Sequence, residues 1–452
     1  MSSLLRLCVG FLCVGWMCLP TYEAIAAIAP STDILTLELA VKEALRREPL
    51  LHQAELDLEQ TLVGLEGVKA ERLQYGGDVT VGNWAGLTGL MSHNPVQPMN
   101  VPIANAQLMA RWPVFTGFRL SRQIDAAEAA VRASRARLEQ ARQDTILAVL
   151  ESFWGIRRAE LKLDVQREAT TGARAALRIA KEMIKTGRAP AWEVERAEVA
   201  ALTAEGEALR LEAEVARARD QLGALLQRDM TGVVLDAAFP GAVTPMNVPA
   251  EAAFDRRPDV RLARAELAIK QADVGVASSE RWPKLELASL YQYGNNPFFA
   301  TSGNRSVLDR LVGTFNAQIN LSYSLFDHGV VGRNIHARTL ECAQSEQALV
   351  ALLARAEVEV RAARRRLELA RRRVSLGTRN EALAKRNLEW LQTRYRFGFV
   401  RLVELNESRV NFVASKNQRL DAEIDRYLAM AALYKSLGVL DAPPRAPEGG
   451  RK

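Results

Sequence analysis

Apolar positions along this chain recur in two rhythms, and the rhythm changes at matching places in its two halves. From about Arg119 to Thr186, and again from about Gly332 to Phe397, apolar residues return at spacings of three and four without a proline. That is the period of an amphipathic helix. At ~1.5 Å per residue each run predicts a helix of roughly 100 Å, continuous or in stacked pieces. Compact globules do not use such lengths, whereas coiled coils and elongated bundles do. Each long helix is expected to end at a glycine, Gly187 in "KTGRAPAWEVERAEV" and Gly398 in "RFGFVRLVELNESRV". A second helix follows each turn, Ala191 to about Gln227 and Leu402 to about Gly438.

Between the helices the period drops to two, over about Gln74 to Phe118 and about Pro283 to Phe326. In "NAQINLSYSLF", Ala317, Ile319, Leu321 and Tyr323 fall on one face of a strand. Asn316, Gln318, Asn320, Ser322 and Ser324 fall on the other. "NAQLMARWPVF" sets Ala106, Leu108, Ala110 and Trp112 against Asn105, Gln107 and Arg111. Each region holds an earlier strand candidate, "GDVTVGNWAG" from Gly77 and "PKLELASLYQYG" from Pro283.

These features repeat at one offset. Asn105 and Asn316, Gly187 and Gly398, and Glu193 and Glu404 each stand 211 residues apart. A period this long is not a solenoid unit; it marks two copies of one structural half. The organisation is a first repeat over 27–229, a Pro- and Gly-rich linker over 230–255 with little regular structure, a second repeat over 256–440, and a disordered tail over 441–452.

The first 26 residues read as a secretory signal, with Arg6, an apolar core from Leu7 to Leu19, and small residues leading to cleavage after Ala26. Export leaves Cys342 as the one mature cysteine, so no intrachain disulfide can form. The net charge of +7 would suit nucleic acid, but a secretory signal argues against that partner. No later apolar run is long enough for a membrane helix. Enzyme chemistry finds no foothold: His52, His93, His328 and His336 share no metal-ligand spacing, and no phosphate-binding loop appears. Met91, His93 and Met99 read as an exposed loop rather than a soft-metal site, so neither metal nor cofactor is expected. The arginine-rich run from Arg361 to Val374 reads as a solvated or partner-facing side of a helix.

A strand about ten residues long, apolar on one side and polar on the other, suits the wall of a transmembrane β-barrel. A soluble sandwich beside a bundle has the same pattern, but export and insertion between very long helices favour the barrel. Lipid tolerates no open sheet edge, and single-chain barrels start at about eight strands. Four strands must therefore close by oligomerising; a trimer supplies twelve, and its helices form a second barrel on the same axis. The competing reading is a periplasmic coiled-coil adaptor or scaffold without a membrane barrel.

The strand-to-helix joins "WPVFTG" ending at Gly117 and "SLFDHG" ending at Gly329, with Tyr395, Gly398 and "VEL" ending at Leu405, resemble the TolC-like outer-membrane efflux family. The resemblance spans nearly the whole mature chain. It implies a mixed α and β membrane protein, a homotrimer with a twelve-stranded barrel in the outer membrane and a twelve-helix periplasmic tunnel. It also implies docking to a periplasmic adaptor and an inner-membrane pump. In that family a gate sits at the periplasmic tip, and its pattern falls here on Tyr395, Glu404, Glu407 and Glu193. Glu replaces the family's usual Asp, and Pro190 and Arg401 replace its usual Ser or Thr. Glu404 and Glu407, three apart, share a helix face. Repeated in a trimer they would form acidic rings that attract cations. Tyr395 is expected to offer its hydroxyl to Glu193, with Arg401 as a charged partner. The turns at Gly187 and Gly398 are the expected adaptor-docking tips.

Overall fold

The computed structural model describes residues 34–88, 97–186, 190–236, 254–294 and 312–441. The signal segment, the loop carrying Met91 and His93, the tip turn at Gly187, most of the linker and nearly all of the tail lie outside them. In chain order the elements are β1 (Ile34–Thr36), α1 (Leu37–Arg47), α2 (Pro49–Ala70), β2 (Gln74–Thr88) and β3 (Gln97–Phe115). Then come α3 (Arg119–Lys185), α4 (Ala191–Leu226), β4 (Val234–Asp236), α5 (Pro258–Ser278), β5 (Lys284–Gly294), β6 (Val312–Ser322), α6 (Val330–Arg396) and α7 (Leu402–Ser436).

The duplication is reproduced closely. α3 and α6 are each 67 unbroken residues, and both of their ends are offset by 211. Each forms an antiparallel hairpin with the shorter helix that follows. Within the α3–α4 hairpin, ion pairs recur every seven residues: Arg219 with Glu160 (2.9 Å), Arg167 with Glu212 (2.9 Å) and Arg174 with Glu205 (2.7 Å). The α6–α7 hairpin repeats the spacing with hydrogen bonds from Asn380 to Ser415 (3.1 Å) and from Asn387 to Ser408 (3.2 Å). A seven-residue repeat of cross-helix contacts is the mark of coiled-coil packing. The two hairpins meet where α3 packs on α7, so the four helices form a row in the order α4, α3, α7, α6.

The main core lies where α3 crosses the ends of α1, α4 and α7 and the middle of α6. Ile146, Leu150, Phe153, Trp154 and Ile156 of α3 are fully buried there, and Trp154 packs on Tyr427 with ring centroids 5.0 Å apart. The linker is less irregular than its composition suggests, since β4 pairs in parallel with β1 along the rim of this core.

All four long strands join one antiparallel sheet in the order β2-β3-β5-β6. The strand "NAQLMARWPVF" is only the second half of β3, which begins at Gln97. Its register brings Leu108 opposite Tyr291 and Trp112 opposite Leu287, while Leu287 lies opposite Ile319 and Tyr291 opposite Phe315. These residues share one face and are all exposed. The other face carries Asp78, Gln107, Arg111, Glu286, Gln318 and Asn320. There Gln107 donates to Asp78 (3.3 Å) and Arg111 pairs with Glu286 (3.0 Å). Trp112 and Tyr293 stand on the apolar face about 20 Å apart, at ~3.3 Å per residue. Tyr323 falls one residue past the end of β6.

The strand-to-helix corners are duplicated as well. Each uses two consecutive left-handed residues, Gly117 (φ +63) and Phe118 (φ +67) in one, His328 (φ +51) and Gly329 (φ +74) in the other. At Gly117 a Cβ would lie 2.5 Å from the Ser279 carbonyl oxygen, so glycine is required by space as well as by φ. In the second corner, Asp327 accepts from the amides of Val331 (2.9 Å) and Gly329 (3.0 Å), which holds its carboxyl below the usual range. Thr116, 211 residues earlier, does the same work by accepting from the Leu120 amide (3.3 Å).

Candidate functional site

The tip is built by two turns. α6 ends in the hydrogen-bond pattern that a left-handed glycine allows: the Gly398 amide donates to the Tyr395 carbonyl (2.9 Å) and the Phe399 amide to the Arg394 carbonyl (3.1 Å). Gly398 sits at φ +78, where side chains other than glycine pay a backbone cost. α7 then starts from Arg401 in extended conformation. In the other hairpin Thr186 closes α3, and the Pro190 carbonyl accepts from the Glu193 amide (3.1 Å) to begin α4.

Tyr395 is the centre of a second buried cluster drawn from all four helices: Ala176 and Ala180 of α3, Ala197 of α4, Leu388 and Leu391 of α6, and Leu402, Leu405 and Phe412 of α7. Its side chain is 2% exposed, and its hydroxyl finds no hydrogen-bond partner among the described residues. Burial, reinforced by the negative field of Glu193 and opposed by Arg409, pushes the phenol up to about 12. The hydroxyl therefore lies in the field of Glu193 but makes no hydrogen bond to it, unlike the pairing expected from the sequence.

Arg401 is not part of this constellation. It lies exposed at the N-cap of α7 and makes no ion pair among the described residues. The cation beside Tyr395 is Arg409, which sequence reasoning missed. Two buried positions flank it on α7, Leu405 four residues before and Phe412 three after, and that spacing was the available signal. Arg409 donates to the Asn406 side-chain oxygen (3.2 Å) and crosses Gly172 of α3, where an added Cβ would lie 3.3 Å from its Nε. No carboxylate pairs with it among the described residues, and burial lowers its pKa. Glu404 and Glu407 stand on the exposed side of α7, in line with Arg401 and Val410 and facing away from the buried cluster.

Above the tip, the seam between hairpins is laced by ion pairs: Lys435 with Asp144 (2.6 Å), Arg158 with Asp425 (2.6 Å), Lys162 with Asp421 (3.1 Å) and Lys416 with Glu168 (2.6 Å). Arg409 would be the next rung, but Gly172 stands opposite. The arrangement provides a shaped end to a helical bundle with exposed acids and, among the described residues, no assembled catalytic group.

Comparison with known proteins agrees with this geometry. The profile of a family described as "outer membrane efflux protein" matches residues 40–227 and 250–439. No curated protein matches by sequence alone. Among solved structures, the Campylobacter jejuni CmeC outer membrane channel superposes with a TM-score of 0.78 at 19% identity, covering 89% of this chain and 86% of that one. The Vibrio cholerae outer membrane protein VceC gives 0.75 at 15% identity, over 89% and 96% of the two chains. The open state of the Neisseria gonorrhoeae MtrE outer membrane channel gives 0.68 at 18%, over 91% of each. With the family profile covering both repeats, and with a dyad sheet that a periplasmic adaptor would not need, this chain belongs to the outer membrane efflux protein family and is an outer-membrane channel rather than an enzyme.

Proposed function

We propose that three copies assemble into a passive, gated conduit that receives cargo from an inner-membrane pump through a periplasmic adaptor and releases it outside. The observation that carries the assembly is the sheet. It has one exposed apolar face and one polar face, and β2 and β6 lie at its two ends. A hydrocarbon environment rejects open edges, so β6 of one copy must pair with β2 of another. Three copies supply twelve strands, within the range of membrane barrels. The polar faces then line a wet lumen, continuous with a tunnel formed by the long helices.

The gate in this reading is the tip. Tyr395 and its cluster hold the α6–α7 hairpin against α3 and α4, with Glu193 and Arg409 in its field. Glu404 and Glu407, exposed and one turn apart, form acidic rings at the narrow end. Arg401 caps α7 at the outermost turn. The turns at Gly398 and Gly187 present the surface for the adaptor; Gly187 lies outside the described residues.

The test combines fractionation with conductance. The protein is expected in the detergent-extracted outer membrane, as a species three times the mass of the chain. In planar bilayers, Glu404→Gln with Glu407→Gln is expected to weaken block by divalent cations several-fold. Recovery in the soluble periplasm would sink the channel assembly; unchanged cation block would remove the acidic rings from the gate.

A further inference from the structure

Nearer the core, α3 turns large side chains such as Trp154 toward α7. Nearer the tip the same helix offers Ala169, Gly172 and Ala173. These short residues do not fill the space, and a groove opens with α3 as its floor and α4 and α7 as its walls. It holds about 580 Å³, within the ~300–1,000 Å³ that small-molecule sites occupy. Ala169, Ala173, Ala200, Val410, Val413 and Ala414 give it an apolar lining.

The charges along this groove are matched with one exception. Lys162 pairs with Asp421 (3.1 Å), and Arg210 with Glu207 (2.7 Å) and Glu214 (3.2 Å). The Gln166 amide donates to the Ala204 carbonyl (3.0 Å). Arg409 bonds to the neutral Asn406 side chain (3.2 Å) and pairs with no carboxylate among the described residues. Its guanidinium lies half-buried along Gly172. Farther along the same wall, about 12 Å at ~1.5 Å per residue, the Asn417 side-chain oxygen is buried with no donor among the described residues.

A half-buried cation without a counter-charge, beside an apolar hollow, is the complement of an acid group carried on an apolar body. Partial desolvation strengthens an arginine–anion pair, and the guanidinium fork matches the oxygens of a carboxylate or sulfonate. The anion is a soluble one rather than a lipid headgroup. Counted along α3 from Arg119 at ~1.5 Å per residue, Gly172 stands about 80 Å from the sheet, out of reach of a bilayer around those strands.

We propose that this groove binds a small organic anion, its acid group on Arg409 and its apolar body against the alanines and valines of α3, α4 and α7. α3 separates α4 from α7 in the row, so a ligand touching both walls ties the two hairpins together where the ion-pair lacing has stopped. The bound anion supplies the missing rung and holds the tip shut. Binding stands on the groove itself, whereas its effect on passage rests on the tip being the gate, as proposed above.

The test titrates naphthalene-2-sulfonate into the full-length protein in dodecyl maltoside, read by calorimetry against a detergent blank. Saturable binding is expected, with 2-naphthol, which lacks the charge, bound about tenfold more weakly or worse. Arg409→Gln should weaken the sulfonate by about tenfold or more, and so should Asn406→Asp, whose carboxylate would compete for the same guanidinium. Ala414→Phe, at an exposed lining position, should block the groove with Arg409 intact. Arg178→Gln, exposed on α3 outside the groove, should bind as the unmodified protein does. No saturable binding, equal binding of the naphthol, undiminished binding in Arg409→Gln or Ala414→Phe, or an equal loss in Arg178→Gln would each overturn the site. Trypsin cleavage at the tip should slow when the sulfonate is bound, and not in Arg409→Gln; saturable binding with unchanged cleavage would overturn the tie between hairpins. Binding and slower cleavage with unchanged single-channel conductance would remove the tip as the gate and leave the groove.

Discussion

Replacing Tyr395 separates two roles its side chain can play at the tip, filling space and donating a hydrogen bond. The ring is 2% exposed among alanines and leucines from four helices. Truncating a buried aromatic to alanine costs about 3–5 kcal/mol, part of it the cavity left behind. Ala176 and Ala180 are too short to collapse into that space, which places Tyr395→Ala toward the upper end. The hydroxyl contributes with the opposite sign. A buried polar group without a partner costs about 1–3 kcal/mol, and this hydroxyl has none among the described residues. Tyr395→Phe is therefore expected to stabilise the tip by ~1 kcal/mol, the low end of that range.

Single-channel conductance in planar bilayers, with trypsin cleavage at Arg394, Arg396 and Arg401, reads both effects. Tyr395→Ala should conduct more and be cut faster, and Tyr395→Phe should match the unmodified channel or fall below it. A Phe variant as leaky as the Ala variant would make the hydroxyl a lock and refute the steric argument. Alkali adds an independent check. The folded phenol is raised to about 12, above its unfolded value, because burial disfavours the phenolate. Its contribution to tip stability is fully present below pH 10. Above that the unfolded tip loses the proton first, and stability falls by up to ~1.4 kcal/mol per pH unit until about pH 12. Tyr395→Phe should flatten that part of the pH profile.

Asn406→Asp would set a carboxylate where the present side-chain oxygen lies 3.2 Å from Arg409; a charged hydrogen bond is worth ~1.5–3 kcal/mol, so a higher thermal midpoint and slower tip proteolysis are expected. A lowered midpoint would mean that Arg409 is balanced by another group. Gly398→Ala should cost about 1–2 kcal/mol through its left-handed backbone alone. Gly117→Ala should cost distinctly more, because its Cβ would also meet the Ser279 oxygen at 2.5 Å. Equal midpoints for the two variants would contradict the close approach at the first corner.

Period and offset were enough to read the architecture, because long coiled-coil helices and half-wet strands impose regular patterns over many residues. The 67-residue helices, the alternating faces of β3 and β6, and the glycine stop at Gly398 were all legible. What escaped was non-periodic. β4 is three residues in a Pro- and Gly-rich stretch, held by pairing with β1 about 200 positions earlier. No local pattern encodes such a partner. The union of two strand pairs into one sheet through β3 and β5 is likewise a long-range choice. At the tip, Glu404 and Glu407 fall on one exposed face as their spacing requires, but Arg401, expected beside Tyr395 from its place after the turn, stands exposed and Arg409 is the cation there. Nearness in sequence is a poor guide there, since Arg401 precedes the first helical turn while Arg409 lies on the stripe facing α3.

The same comparison locates where the two hairpins hold each other least. Toward the core, ion pairs span α3 and α7 from Lys435–Asp144 to Lys416–Glu168, beside large buried side chains such as Trp154 and Tyr427. Below Lys416 the lacing stops. α3 presents Gly172, Ala173, Ala176 and Ala180, which bury little apolar area each, and Arg409, which crosses Gly172, has no carboxylate partner among the described residues. Partly exposed ion pairs each add only about 0–1 kcal/mol, so their loss alone would not free the tip. Combined with small side chains, it leaves Tyr395 and its leucine neighbours as the main closing contact. A joint held mostly by one aromatic ring can part locally while the laced seam above stays shut. In the proposed conduit that is the mechanical property a gate at the end of a helical tunnel would require, and it would rest on Tyr395 rather than on the acids displayed around it.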